Sequence, residues 1–219
     1  MNRTTSESLE RARASLLTEL AHGIVDQRVL DAMGGVPREE FVPAEASSVA
    51  YQNRPLPIGH GQTISQPLMV ALMTQALMLT GDERVLEVGT GSGYQAALIS
   101  LLAARVVSVE RVPELAASAA ERLGRLGYSN VEVHSVTDEL GWPEGAPYAG
   151  IIVTAASPDV PRPLLDQLAM NGRLVLPVGS REIQELVQII KTPEGAQRHN
   201  LGSCRFVPLL GRGAWTETR

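Results

Sequence analysis

Residues 55–67, PLPIGHGQTISQP, gather His60, Gln62, Thr63 and Ser65 between three prolines and two glycines. Pro55 and Pro57 stiffen the approach, while Gly59 and Gly61 permit backbone angles closed to other residues. Ser65 stands where a helix N-cap belongs, and Pro67 falls just inside the first turn, ahead of the apolar run LMVALMTQALML. The chemistry this suits is holding an anion, such as a carboxylate, at the positive end of a helix. The local sequence also admits a plainer reading, a helix start with Ser65 as its cap and the polar neighbours in water.

A second cluster, VLEVGTGSGY at 85–94, reads as a strand, a glycine turn and a helix. Gly89, Gly91 and Gly93 let the backbone turn sharply beside a ligand at the carboxyl end of the strand. Glu110 closes the next strand 21 residues after Gly89, where a carboxylate can accept hydrogen bonds from both hydroxyls of a ribose. The spacing is G-x-G-x-G, whereas a dinucleotide fingerprint needs glycine where Tyr94 stands. Glu87, two residues before the first glycine, is ill placed for a pyrophosphate but suits a ligand carrying an amine and a sulfonium. The set favours S-adenosyl-L-methionine over NAD. A tight turn that binds nothing is the alternative.

The rest of the composition narrows the class. The chain has 219 residues, 44% hydrophobic and 20% charged, ample for a full core. Its net charge of -5, with no basic stripe, gives no support to a nucleic-acid partner. Cys204 is the single cysteine, which rules out an intrachain disulfide and a cysteine-based zinc site. His22, His60, His134 and His199 lack metal-ligand spacing, so no metal is expected. The first residues, MNRTTSESLERARASLL, lack the apolar core of a signal peptide, and no run of about twenty apolar residues exists. A cytoplasmic protein with no membrane partner is the expectation.

Both clusters need a scaffold. Helical periodicity runs from about 6 to 33 through Leu9, Ala12, Leu16 and Leu20, then Val25, Val29, Leu30 and Met33, with Asp26 capping the second helix after Gly23. Pro37 and Pro43 end that pattern. A helix from Ser65 to about Leu79 carries Met69, Met73 and Met78 as a core stripe, and Gly81 stops it. From Arg84 onward, strands at 84–88, 105–110, 131–134, 150–154 and 173–178 alternate with helices at 94–103, 113–126 and 161–169. That alternation predicts an α/β fold with a mostly parallel sheet covered on both faces. Runs at 185–191 and 204–210, separated by a polar loop, are expected as an antiparallel pair on one edge. The plan is a helical lobe (1–80) bearing the 55–67 loop, a cofactor-binding Rossmann-like core (81–180) and a C-terminal β segment (181–219), all one structural domain.

Four blocks, RVLDAMGGVPREEFVP at 28–43, the 55–67 loop, VLEVGTGSGYQAAL at 85–98 and LLDQLAMNGRLVLPVG at 164–179, resemble the protein-L-isoaspartate (D-aspartate) O-methyltransferase family, as does the closing RFVPLLGRGAW. The resemblance implies a Rossmann-like S-adenosylmethionine-dependent methyltransferase fold with a seven-stranded sheet. It implies methyl transfer to the α-carboxylate of L-isoaspartyl residues in proteins and peptides, by a monomer. Ser65 is then the catalytic residue, and His60, Gln62, Thr63 and Ile64 bind substrate. Glu87, Gly89, Thr90, Gly91, Ser92, Gly93, Glu110, Arg111, Thr137 and Asp138 bind the cofactor.

Three positions depart from the family pattern, each by losing an acid. Thr137 stands where the family has an Asp near the adenine amine, with Asp138 displaced by one; Ala149 and Asn53 replace Asp elsewhere. A neutral acceptor at Thr137 is about half as strong as an ionised one. Either Asp138 or Glu139 compensates, or the chain has diverged toward one dedicated aspartyl peptide or toward binding without catalysis.

Overall fold

The computed structural model describes residues 3–216. Two helices open the chain, α1 (Arg3–Leu20) and α2 (Gln27–Gly35). Asp26 caps α2 through its side chain, which accepts the Arg28 N–H at 3.0 Å. Leu9, Leu16 and Leu20 are buried as their spacing predicts, but Val25 is 90% exposed in the link between the helices. Two short 3-10 turns, Arg38–Phe41 and Ala44–Val49, follow the prolines.

The 55–67 segment is a β-hairpin rather than an irregular loop. Strands β1 (Leu56–Gly59) and β2 (Gln62–Ile64) pair antiparallel, and the turn between them puts Gly59, His60 and Gly61 all at positive φ. Helix α3 (Pro67–Leu77) follows, with Gln66 rather than Ser65 at its N-cap. Met78 ends it in the left-handed conformation and is 55% exposed, so the methionine stripe stops short of it.

The remaining strands are β3 (Arg84–Val88), β4 (Arg105–Glu110), β5 (Val131–Ser135), β6 (Tyr148–Val153), β7 (Leu168–Gly179), β8 (Gln184–Thr192) and β9 (Gly195–Cys204). Between them lie α4 (Tyr94–Ser100), α5 (Pro113–Arg125) and α6 (Arg162–Gln167). They form one seven-stranded sheet in the order β5-β4-β3-β6-β7-β8-β9, parallel from β5 to β7 and antiparallel from β7 to β9. The chain builds outward from β3 through β4 to β5, then crosses back to lay β6 on the other side of β3. Such a reversal leaves a crevice at the carboxyl ends of the strands, where ligands bind in sheets of this kind.

Strand residues alternate between two cores. Val85, Ile152 and Val175 join the apolar faces of α1 to α5, while Leu86, Ile151 and Leu174 pack with Leu140, Tyr148, Leu164 and Leu209 on the other face. Burial on both faces explains why β3, β4 and β6 read as nearly continuous apolar runs.

One strand assignment needs correction. The antiparallel partner of β8 is β9, GAQRHNLGSC, and not the apolar run at 204–210. An edge strand in contact with water on both faces carries no apolar alternation, so its sequence resembles a loop. The 205–210 segment, which includes Pro208, instead folds back over the end of the sheet. There the Ala156 N–H donates to the Val207 carbonyl and the Leu209 N–H to the Ala156 carbonyl, both at 2.7 Å.

Candidate active site

The crevice at the end of β3 is a cavity of about 1010 Å³ including its open mouth. Its floor is the glycine turn. Gly89 has φ of +97°, and a Cβ there would lie 2.3 Å from Thr154 Oγ1, which itself donates to the Gly89 carbonyl at 2.6 Å. Only glycine satisfies both demands. Glu110 braces the turn from β4. Its carboxylate accepts the Gly91 N–H at 2.8 Å and the Val112 N–H at 2.9 Å.

Glu87 is wholly buried on the cavity wall. One carboxyl oxygen accepts the Ser108 hydroxyl at 2.5 Å, and Ser108 meets the Thr90 hydroxyl at 2.5 Å. The other oxygen, Oε1, has no partner. Burial pushes this carboxyl up to about 8, with the charge of Glu110 adding to the effect and the Ser108 bond opposing it. An unpartnered buried acid beside backbone donors is a fitting receptor for a cationic amine.

The opposite wall is the hairpin. Gln62, Thr63, Ile64 and Ser65 line the same cavity as Glu87, Gly89, Thr90, Gly91, Ser92, Glu110, Arg111 and Thr137. Ile58 reaches over the turn, so that a Cβ on Gly91 would meet its Cδ1 at 3.3 Å. Behind the hairpin, Asn53 Oδ1 accepts the Leu68 N–H at 3.0 Å and caps α3 from fifteen residues away, while Asn53 Nδ2 donates to Glu19 at 2.6 Å.

Three expected residues lie elsewhere. His60 is exposed at the apex of the hairpin turn, at φ of +52°. Gly93 forms the N-cap of α4 and is packed against Leu123 and Ala119, where it closes the turn without lining the cavity. Asp138 lines a neighbouring cleft with Asp166, Gln167 and Arg212, and Glu139 lines the main cavity in its place. Trp142 also sits outside the cavity, stacked on His134 with ring centroids 4.1 Å apart. Ala149 lies near the start of β6, at the far end from the crevice, so its departure from the family pattern does not touch the site. The cavity adds Val136, Tyr94, Gln95 and the segment Val207, Pro208, Leu209 and Leu210. The fold-back of 205–210 supplies that last wall, which no strand assignment of the segment would predict.

A family model described as protein-L-isoaspartate(D-aspartate) O-methyltransferase (PCMT) matches residues 11–214. The chain belongs to this family. It is 54% identical over 195 residues to a protein-L-isoaspartate O-methyltransferase of Methanoculleus marisnigri, covering 89% of each chain. Protein-L-isoaspartate O-methyltransferase 1 of Syntrophobacter fumaroxidans is 52% identical over 210 residues, 95% of this chain and 98% of that one. Among solved structures, a protein-L-isoaspartate O-methyltransferase superposes with a TM-score of 0.82 at 31% identity, over 92% of this chain and 67% of its own. A Plasmodium falciparum PCMT structure in complex with S-adenosyl-L-homocysteine superposes with a TM-score of 0.73 at 28% identity, over 88% of this chain and 95% of its own. The family fold is the mostly parallel seven-stranded sheet found here.

Proposed function

We propose that this PCMT family member transfers a methyl group from S-adenosyl-L-methionine to the α-carboxylate of L-isoaspartyl residues in damaged proteins and peptides. The methyl ester then closes to a succinimide as the following backbone nitrogen displaces methanol, and hydrolysis of the succinimide returns the residue to aspartate. The observation that carries the assignment to this site is one cavity lined on one side by Gln62, Thr63, Ile64 and Ser65 and on the other by Glu87, the glycine turn and Glu110.

Bound there, S-adenosyl-L-methionine supplies a methyl group on a sulfonium that leaves as a neutral thioether. Glu87 would hold its ammonium, the glycine turn its methionine part and Glu110 its ribose hydroxyls. Thr137 and Glu139, which line the cavity where Asp138 does not, would stand beside its adenine. A substrate carboxylate with a pKa of roughly 3.3–4.3 is already ionised at neutral pH, so no general base is required. Catalysis rests on proximity and aim, with effective molarities worth about 7–11 kcal/mol. The Ser65 hydroxyl and the backbone N–H groups of 63–66 hold the carboxylate and turn one oxygen toward the methyl carbon.

The reading extends to a monomer in the cytoplasm with neither nucleic-acid nor membrane partners. Its support is a net charge of -5, a single cysteine and a cavity completed by one chain. Among the described residues, no helix is long and apolar enough to cross a membrane.

The test is methyl release from one peptide made in isoaspartyl and aspartyl forms. Turnover of the isoaspartyl form alone is expected; preference for the aspartyl form overturns the reading. Ser65→Ala should lower single-turnover rates by roughly 10- to 100-fold, the worth of a hydrogen bond to a charged group. Affinity for S-adenosylhomocysteine should stay within about twofold. An unchanged single-turnover rate removes Ser65 from the mechanism.

A further inference from the structure

Arg38 is the largest fully buried side chain of the molecule's described residues, with 0% exposure. Its Nε donates to the Ala50 carbonyl and its Nη2 to the Ser65 carbonyl, each at 2.8 Å. Its guanidinium carbon lies 4.8 Å from the centre of the Tyr94 ring, and Nη1 has no partner. Burial works against its charged form; the groups that oppose this are the Tyr94 and Tyr51 phenols, and no carboxylate is among them. Glu39, on the same 3-10 turn, accepts hydrogen bonds from Arg13 and Tyr51.

Arginine stays protonated in proteins, so among the described residues the interior holds a cation with no carboxylate hydrogen-bonded to it. A buried charge is costly unless something of opposite sign meets it. Its bond to the Ser65 carbonyl ties the guanidinium to the residue whose other groups line the cavity. The anion that catalysis brings to that place is the substrate carboxylate. The same contact polarises the Ser65–Gln66 peptide, whose N–H is one of the backbone donors available to that carboxylate. Tyr94 and Ser65 both line the cavity, while Arg38 stays behind them, out of water.

We infer that Arg38 is a positioning residue that fixes the Ser65–Gln66 peptide and supplies the positive charge by which the acceptor site selects an ionised α-carboxylate. This rests on the proposed function, and the test separates the two. An isoaspartyl peptide and its uncharged α-carboxamide are compared for binding to the S-adenosylhomocysteine complex by calorimetry, alongside kcat and KM for the isoaspartyl peptide. Wild type prefers the carboxylate by at least tenfold; a wild type with no such preference overturns the functional reading itself. Arg38→Met should raise KM about tenfold and bring the two peptides within threefold, with S-adenosylhomocysteine affinity little changed. Arg38→Met that binds S-adenosylhomocysteine normally and keeps both KM and the carboxylate preference overturns the inference. Arg38→Lys, which retains the charge but not the fork, decides the matter if the methionine variant does not fold. It should keep the preference while raising KM severalfold, and an unchanged KM overturns the inference.

Discussion

Two residues of the cavity wall carry their own tests. Glu87 has a folded-state pKa of about 8, raised from an ordinary 4.5 by burial and then by the nearby Glu110. The folded protein therefore keeps a proton that the unfolded chain gives up. Stability linked to this group is complete below about pH 4.5 and is lost as pH rises through about 8. Thermal unfolding of the ligand-free protein should show Tm falling across that window, with a flatter profile for Glu87→Gln. Parallel slopes in the two proteins would show that Glu87 ionises freely in place. Gly89 is constrained twice over, by its positive φ and by Thr154 Oγ1. Gly89→Ala should cost about 1–3 kcal/mol, as overpacking does, and weaken cofactor binding at least tenfold. Adding Thr154→Ala removes the clash but not the backbone strain, so chemical denaturation should show only partial recovery in the double variant.

At the scale of elements, the hairpin and α3 hold Ser65 in place, and the means lies outside the local sequence. Ser65 reads as an N-cap, yet α3 is capped from Asn53, whose Oδ1 accepts the Leu68 N–H. The serine hydroxyl is thereby spared a capping duty. Asn53→Ala should cost about 1 kcal/mol, the usual worth of a cap, and lower Tm by about 2–4 °C. Asn53→Asp keeps the acceptor but sets a carboxylate against Glu19 in place of a donor. Its Tm should fall relative to wild type, and adding Glu19→Gln should restore it; a deficit unchanged in the double variant would exclude the repulsion. The strands β3 and β4 were legible to the residue because burial on both faces leaves a nearly continuous apolar run, broken only by Glu87 and Ser108 before their ends. The edge strand β9 was not, because nearly all of it faces water. The wall at 205–210 was legible as apolar but not as a fold-back, since the contact that defines it, with Ala156, is made some fifty residues away in sequence. The acids at 138 and 139 show the same limit. The family resemblance offered Asp138, and only the path of the loop decides that Glu139 meets the cavity.

Across the whole molecule, the cavity draws its walls from the hairpin, the glycine turn and the 205–210 segment, so binding must report on all three parts at once. The helical lobe shares its apolar core with one face of the sheet: Leu20, Met33 and Phe41 lie in the same cluster as Val85, Ile152 and Val175. Such continuity leaves no seam at which the first eighty residues could melt alone. We propose that the three segments unfold as one cooperative unit. Far-ultraviolet dichroism is dominated by the helices, several of which lie in the lobe. Tryptophan fluorescence reports Trp142, beside the opposite core, and Trp215 near the end of the described chain. The two signals should give coincident thermal transitions. S-adenosylhomocysteine at about 100 times its Kd should stabilise the fold by about 2.7 kcal/mol and move both transitions up together by roughly 5–10 °C. Loss of helical signal ahead of the fluorescence change, or a ligand shift seen by one probe alone, would instead define the lobe as a separate folding unit and the cavity as an interface between two.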